Sequence, residues 1–246
     1  AFDGQDVPPS VAALGLPNYW GYSPVALASP HPGYAANPDP STHEDEFRAM
    51  VQAFHAAGIG VLLDVVLNHT AEGGAGGPVL NFKALMPGEF YHRDAGDYRD
   101  YTGCGNTINT NHPLVTQMLV QALRIWAEER HVDGFRFDLA SVFVRGSDGA
   151  PLEQPPAPRA IEPALPRTPL IAGPWDATGP HHVGNFPGHG WSEWNGRYRD
   201  ALRRFLRGDP GLTAEIATCL AGSSDLYQAS DRRPAHSVNY VTCHDG

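Results

Sequence analysis

Seven side chains in this sequence are of types that do chemistry and sit where strands would end: Asp64, His69, Arg136, Asp138, Asp176, His244 and Asp245. In Gly134-Phe135-Arg136-Phe137-Asp138, apolar and charged residues alternate with strand periodicity. Arg136 and Asp138 are therefore on one side of that strand. An arginine beside an aspartate holds the carboxylate ionised, which makes Asp138 a candidate nucleophile. A structural ion pair is the competing reading of these two residues taken alone. Carboxylates with aromatic neighbours point to glycoside chemistry, in which one carboxylate attacks and another donates a proton. A divalent-metal site would use the same Asp and His types. Against it, the twelve histidines include no His-x-x-x-His pair, and Arg136 would repel a cation, so no metal is expected. There is no Gly-x-Ser-x-Gly elbow for a serine hydrolase. The glycines between 73 and 77 lack the strand-then-helix setting of a phosphate loop, so no nucleotide or other cofactor is expected.

The elements that must position these residues read as strand, loop and helix in repetition. Residues 59–66 form a nearly continuous apolar run broken by Asp64, the pattern of a strand buried on both faces. A buried carboxylate there is costly unless paired. Residues 132–140, 169–172 and 236–242 read as further strands, and residues 25–28 as a short one. Ser41-Thr42-His43-Glu44 has capping-box spacing, and Phe47, Met50, Val51 and Phe54 follow at helical intervals, giving a helix over 42–57. Pro113 opens another helix, with Asn111 as its expected cap and an end near Arg130. Residues 198–206 and 212–220 complete the helices. Residues 71–111 and the proline-rich 145–168 read as loops, and a loop as long as the first is usually functional. Charged residues at the ends of such strands favour a βα barrel over an open doubly wound sheet, because no dinucleotide fingerprint appears.

Composition narrows the partners. The net charge is -10 and there is no basic run, which argues against nucleic acid and anionic membranes. No apolar stretch approaches the length of a membrane span. Three widely spaced cysteines (Cys104, Cys219, Cys243) fit neither a disulfide framework nor a zinc site and favour a reducing compartment. The sequence begins at Ala1 and stops inside what reads as a motif, Cys243-His244-Asp245-Gly246, the pattern of a fragment.

Four stretches come in an order that carries more information than their spacing: Asp64-Val65-Val66-Leu67-Asn68-His69, Gly134-Phe135-Arg136-Phe137-Asp138, Ile171-Ala172-Gly173-Pro174-Trp175-Asp176 and Val241-Thr242-Cys243-His244-Asp245. They resemble the four signature regions of the α-amylase superfamily (glycoside hydrolase family 13). Asn18-Tyr19-Trp20-Gly21-Tyr22, Thr102-Gly103-Cys104-Gly105-Asn106-Thr107 and Trp191-Ser192-Glu193-Trp194-Asn195-Gly196-Arg197-Tyr198-Arg199-Asp200 narrow the resemblance to isoamylase-type glycogen and starch debranching enzymes.

The resemblance implies an α/β fold in which residues 1–246 are one partial (β/α)8 TIM-barrel catalytic domain, with the first and last strands missing. It implies hydrolysis of α-1,6 branch linkages in glycogen, amylopectin or limit dextrin with retention of configuration. A bacterial cytoplasm or a plant or algal plastid would be the setting. Carried over by position, Asp138 is the nucleophile and Arg136 holds it ionised. Asp245 binds the sugar hydroxyls, His69 and His244 hydrogen-bond the same sugar, Asp64 supports the site, and Tyr22 stacks on the ring. The pattern breaks at Gly173, where the family has its general-acid Glu. Asp176 and Glu193 are the nearest other carboxylates in sequence. The expectation is an impaired debranching hydrolase, or a catalytically silent glucan-binding subunit or relic of one.

Overall fold

The computed structural model describes every residue except Pro180 and Gly246. Its centre is a five-stranded, all-parallel sheet. The chain contributes β1 (Leu62–Val65), a separate two-stranded hairpin of β2 (Arg93–Asp94) and β3 (Asp97–Tyr98), then β4 (Gly134–Phe137), β5 (Leu170–Ala172), β6 (Trp191–Trp194) and β7 (Ser237–Val238). The sheet order is β1-β4-β5-β6-β7, so each new strand is added beside the last. That progression in one direction is how a barrel wall is laid down; a doubly wound sheet reverses.

β4 is the middle of the core because both of its faces are covered. Phe135 and Phe137 are fully buried, and Phe137 packs 4.7 Å from the Trp191 ring. The crossover from β1 to β4 ends in the helix Pro113–Arg124, which continues as a π-turn over Ile125–Glu129. Its apolar stripe places Val115, Leu119 and Leu123 in the same core. Between β6 and β7 lie the helices Gly196–Arg207 and Thr213–Leu220. Asn195 caps the first through Tyr198 N–H, and Gly208 ends it in the left-handed region.

Several expectations are corrected. Residues 145–168 are not all loop: Pro156–Ala164 is a helix that buries Ala157 and Ile161, one turn apart. Six prolines from 151 to 166 hide that spacing, although proline is tolerated in a first turn. Residues 25–28 are not a strand, because Val25 and Ala26 donate their N–H groups to the Ala1 carbonyl. The last strand is only Ser237–Val238. The capping box at Ser41–Glu44 does not form: Thr42 makes no side-chain cap, and its hydroxyl bonds to Asp39 O and Glu46. Asn111 does not cap the next helix, whose cap residue is His112. It instead ties that helix to neighbouring segments through Phe143 O, Arg145 O and Ala157 N.

β1 departs most from its expected burial. Leu62 is 51% exposed and Asp64 is also open. Among the described residues no strand pairs with its outer edge. An open groove of about 630 Å³ runs there, lined by Phe2, Leu27, Phe47, Leu63 and Val65 among others. An apolar run of this kind is built to be covered on both faces, and here one flank is bare.

Candidate active site

The site is assembled where β1 and β4 end. The parallel register sets Asp64 directly against Arg136, and Arg136 Nη1 donates to both Asp64 oxygens at 3.1 and 3.2 Å. The same Nη1 donates to Asp138 Oδ1 at 2.9 Å. Arg136 lies over the Trp194 ring, 4.1 Å from its centroid. Immediately past Asp138 the chain turns sharply through Leu139, which has φ +40°. That conformation is uncommon for a residue with a side chain and clusters at functional sites. Asp138 N–H to Val65 O and Ala140 N–H to Gly173 O fix both sides of the turn.

Asp138 is 5% exposed. Its second oxygen and its carbonyl both accept from Asn68 Nδ2, at 3.2 and 2.9 Å. Burial pushes its pKa up, but the His244 contact and the Arg136 charge outweigh burial and leave it below the usual 3.8. Asp138 is thus a buried, ionised carboxylate, the state a nucleophile requires.

His244 closes the other side. Its ring stacks on Tyr22 with centroids 4.1 Å apart. The Tyr22 hydroxyl donates to Asp64 at 2.6 Å and lies 3.0 Å from His244 Nδ1. His244 Nε2 lies 3.5 Å from Asp138 Oδ1 and 3.4 Å from Asp245 Oδ1. Burial first, then the Asp64 charge, pushes the Tyr22 phenol well above its ordinary pKa, so Tyr22 stays a neutral donor. Six of the expected residues (Tyr22, Asp64, Arg136, Asp138, His244, Asp245) therefore form one connected cluster. Cys243, His244 and Asp245 also bring ligand-type atoms within 4.8 Å of one another, but both His244 nitrogens already face protein oxygens.

His69 lies behind this cluster. It is buried, with Nδ1 2.5 Å from Asn68 Oδ1 and Nε2 2.8 Å from the Tyr22 carbonyl. Both nitrogens are directed at protein, so it holds Asn68 and the Tyr22 backbone in position. Asn68, which the residue-by-residue reading did not single out, touches Asp138 directly. Its signal was its place beside His69 in the first signature stretch. Trp194 was likewise quoted only as part of a longer motif.

Gly173 lies one step beyond the Phe137–Ala172 register pair, beside Asp138, and its N–H bonds to Phe137 O. A β-carbon built there would meet Arg136 Nη2 at 2.9 Å. Arg136 Nη2 and Nε are buried and have no hydrogen-bond partner. Neither neighbouring carboxylate replaces a side chain at 173. Asp176 is fully buried in an ion pair with Arg145 at 2.6 Å and accepts Thr178 N–H. Glu193 is fully buried against Arg232 and accepts the N–H groups of Gly184 and Phe186. Burial raises the Glu193 pKa, but its oxygens are committed to these contacts.

No family model matches the chain. Among named proteins it is 46% identical over 237 residues to isoamylase 3, chloroplastic, of Oryza sativa subsp. japonica, covering 93% of this chain and 30% of that protein. It is 47% identical over 238 residues to the glycogen operon protein GlgX homolog of Mycobacterium tuberculosis, covering 95% and 33%. A glycogen debranching enzyme of Enterobacter sp. is 46% identical over 242 residues, covering 97% and 36%. Among solved structures, type I pullulanase from Bacillus subtilis superposes with a TM-score of 0.73 at 29% identity, covering 90% of this chain and 33% of that one. A pullulanase from Bacillus acidopullulyticus gives the same TM-score at 27% identity, covering 91% and 28%. The resemblance to the isoamylase-type debranching enzymes of the α-amylase superfamily therefore holds over nearly the whole chain, which spans about a third of the length of the proteins it matches.

Proposed function

We propose that these 246 residues form the nucleophile-bearing part of a retaining α-1,6-glucan debranching hydrolase, with its acid–base step disabled by Gly173. The observation that carries this is the Asp138 carboxylate, held ionised by Arg136 and His244 beside an acid position that has no side chain. In this reading Asp138 attacks the anomeric carbon, Asp245 and His244 bind the hydroxyls of the same sugar, and Tyr22 covers one face of its ring. Asp64 anchors both Tyr22 and Arg136. The substrate is a branched α-glucan such as glycogen, amylopectin or limit dextrin. The setting is a bacterial cytoplasm or a plastid. The five-stranded sheet is part of a (β/α)8 barrel; its bare β1 flank and the one-third coverage of the relatives support that extension.

Loss of an acid–base residue costs about 10²–10⁴ in rate, and a sugar alcohol is a poor leaving group without a proton. The full-length protein should therefore leave α-1,6 branches essentially uncut. A glycosyl fluoride needs no acid to depart, so it should label Asp138, as read by mass spectrometry, and Asp138→Asn should abolish the label. Gly173→Glu should restore debranching, since acid and nucleophile need be only about 5–5.5 Å apart. Vigorous debranching by the Gly173 protein, unchanged by Gly173→Glu, would overturn these roles.

The second reading is a non-catalytic glucan-binding element. The commitment of both Asp176 and Glu193 to buried ion pairs favours it over an active enzyme with a relocated acid. A folded Gly173→Glu protein that binds branched maltooligosaccharide but still does not cut it would select this reading.

A further inference from the structure

Cys243 brings a thiol to the edge of the cluster around Asp138. Its Sγ lies 3.8 Å from Asp245 Oδ2. Asp245 Oδ1 lies 3.4 Å from His244 Nε2, and that nitrogen lies 3.5 Å from Asp138 Oδ1. One ligand-type atom from each of Cys243, His244 and Asp245 falls within 4.8 Å of the other two. A tetrahedral zinc ion with bonds of about 2.0–2.3 Å holds its ligand atoms about 3.3–3.6 Å apart. Small side-chain adjustments therefore turn these separations into the edges of such a tetrahedron. Hydrogen bonding also orients the ring for it. The Tyr22 hydroxyl has one proton and donates it to Asp64. At 3.0 Å from His244 Nδ1 the same oxygen is therefore an acceptor, and the ring proton sits on Nδ1. Nε2 is left facing the Asp138 and Asp245 carboxylates. A lone pair there opposes two carboxylates unless a proton or a cation lies between them. A metal-binding imidazole is held in this way, with its other N–H donated to a protein oxygen.

We propose that Cys243, His244 and Asp245 form an inhibitory site for zinc, with the fourth corner of the ion facing Asp138. Spacing along the chain argued against a metal, because no His-x-x-x-His pair occurs and Arg136 would repel a cation. The fold alters both points. The ligands come from three successive residues. The Arg136 charge is already engaged by Asp64 and Asp138, and with Asp245 three carboxylates surround one guanidinium. The Asp245 side chain is 50% exposed, which leaves an entry path. Thiolate and imidazole together select zinc over the oxygen-preferring magnesium and calcium. On binding, the Cys243 thiol gives its proton to solvent and its sulfur lone pair to the ion. A cation in this place occupies His244 and Asp245, neutralises the Asp138 carboxylate and keeps a sugar out. The metal site stands on its own geometry. The inhibition rests on the proposed function, since it needs Asp138 to be the nucleophile.

Two measurements on the full-length protein separate the site from the reading beneath it. The first needs no sugar. Cobalt(II), as a coloured substitute for zinc, should bind with the near-ultraviolet charge-transfer band of a metal–thiolate bond, and zinc should displace it. Cys243→Ala and Cys243→Ser should each abolish the band and weaken zinc binding by about tenfold or more, whereas Cys104→Ala should keep both. The two substitutions at 243 guard against one failing to fold. No thiolate band, or a band that survives both Cys243 variants, overturns the metal site whatever the enzyme does. The second is inhibition. With zinc at about ten times its dissociation constant, labelling of Asp138 by α-glycosyl fluoride should slow about tenfold, because only the metal-free fraction reacts. A chelator should restore it, and the ratio of rates with and without zinc should return to near one in Cys243→Ala. Labelling that saturating zinc does not slow overturns the inhibition. An Asp138 that never labels, even without metal, overturns the nucleophile assignment and the inhibition with it, while the cobalt band still decides the site.

Discussion

At the scale of single residues, the balance of forces on Asp138 has a consequence for pH. Its folded-state pKa is lowered, so the stability it contributes is complete above the unfolded value near 3.8 and is lost as pH falls through the depressed folded value. Labelling of Asp138 by a glycosyl fluoride should therefore show no acid limb from this group above about pH 4. A pH–rate profile that falls with a midpoint near 5 and moves on Asp138 substitution would contradict that balance. Much of this was legible in the sequence. The two-residue spacing of Arg136 and Asp138 already implied one shared side and an ionised carboxylate. The contacts of His69 were not legible. Only tertiary structure brings the Tyr22 carbonyl to its Nε2.

At the scale of elements, the strands bearing charged side chains at their ends were readable because a charge inside an apolar run is conspicuous. The helix Pro156–Ala164 was not readable, because prolines broke the period that would have marked it. The burial of β1 was overestimated for a related reason: composition reports what a strand is suited to contact and is silent on whether that partner is present. The loop after β5 and the strand β6 make a separate testable point. Asp176 and Glu193 are each one half of a buried ion pair. Removing one partner of such a pair typically costs about 3–5 kcal/mol. Glu193→Gln should thus lower the melting temperature markedly yet leave the Asp138 labelling rate of the folded protein within about twofold. A loss of labelling with unchanged melting temperature would instead make Glu193 part of the chemistry.

At the scale of the whole molecule, the sheet is sequential and, among the described residues, open, and its first strand ends the row. Among the described residues no strand pairs with the outer edge of Leu62–Val65, and Leu63, Asp64 and Val65 line a groove there. An unpaired edge of this kind is a template for any extended chain. The 246 residues prepared by themselves should accordingly self-associate in a concentration-dependent way, visible as oligomers in analytical ultracentrifugation. Lysine placed at the half-exposed Leu62 should suppress those oligomers, because a charge on an edge strand opposes pairing. A monomer at all concentrations would mean that the groove residues already cap the edge. During synthesis the same edge sets an order of events. Until something pairs with β1, the strand that carries Arg136 and leads into Asp138 is only one ladder away from an open edge, and an open edge invites mispairing.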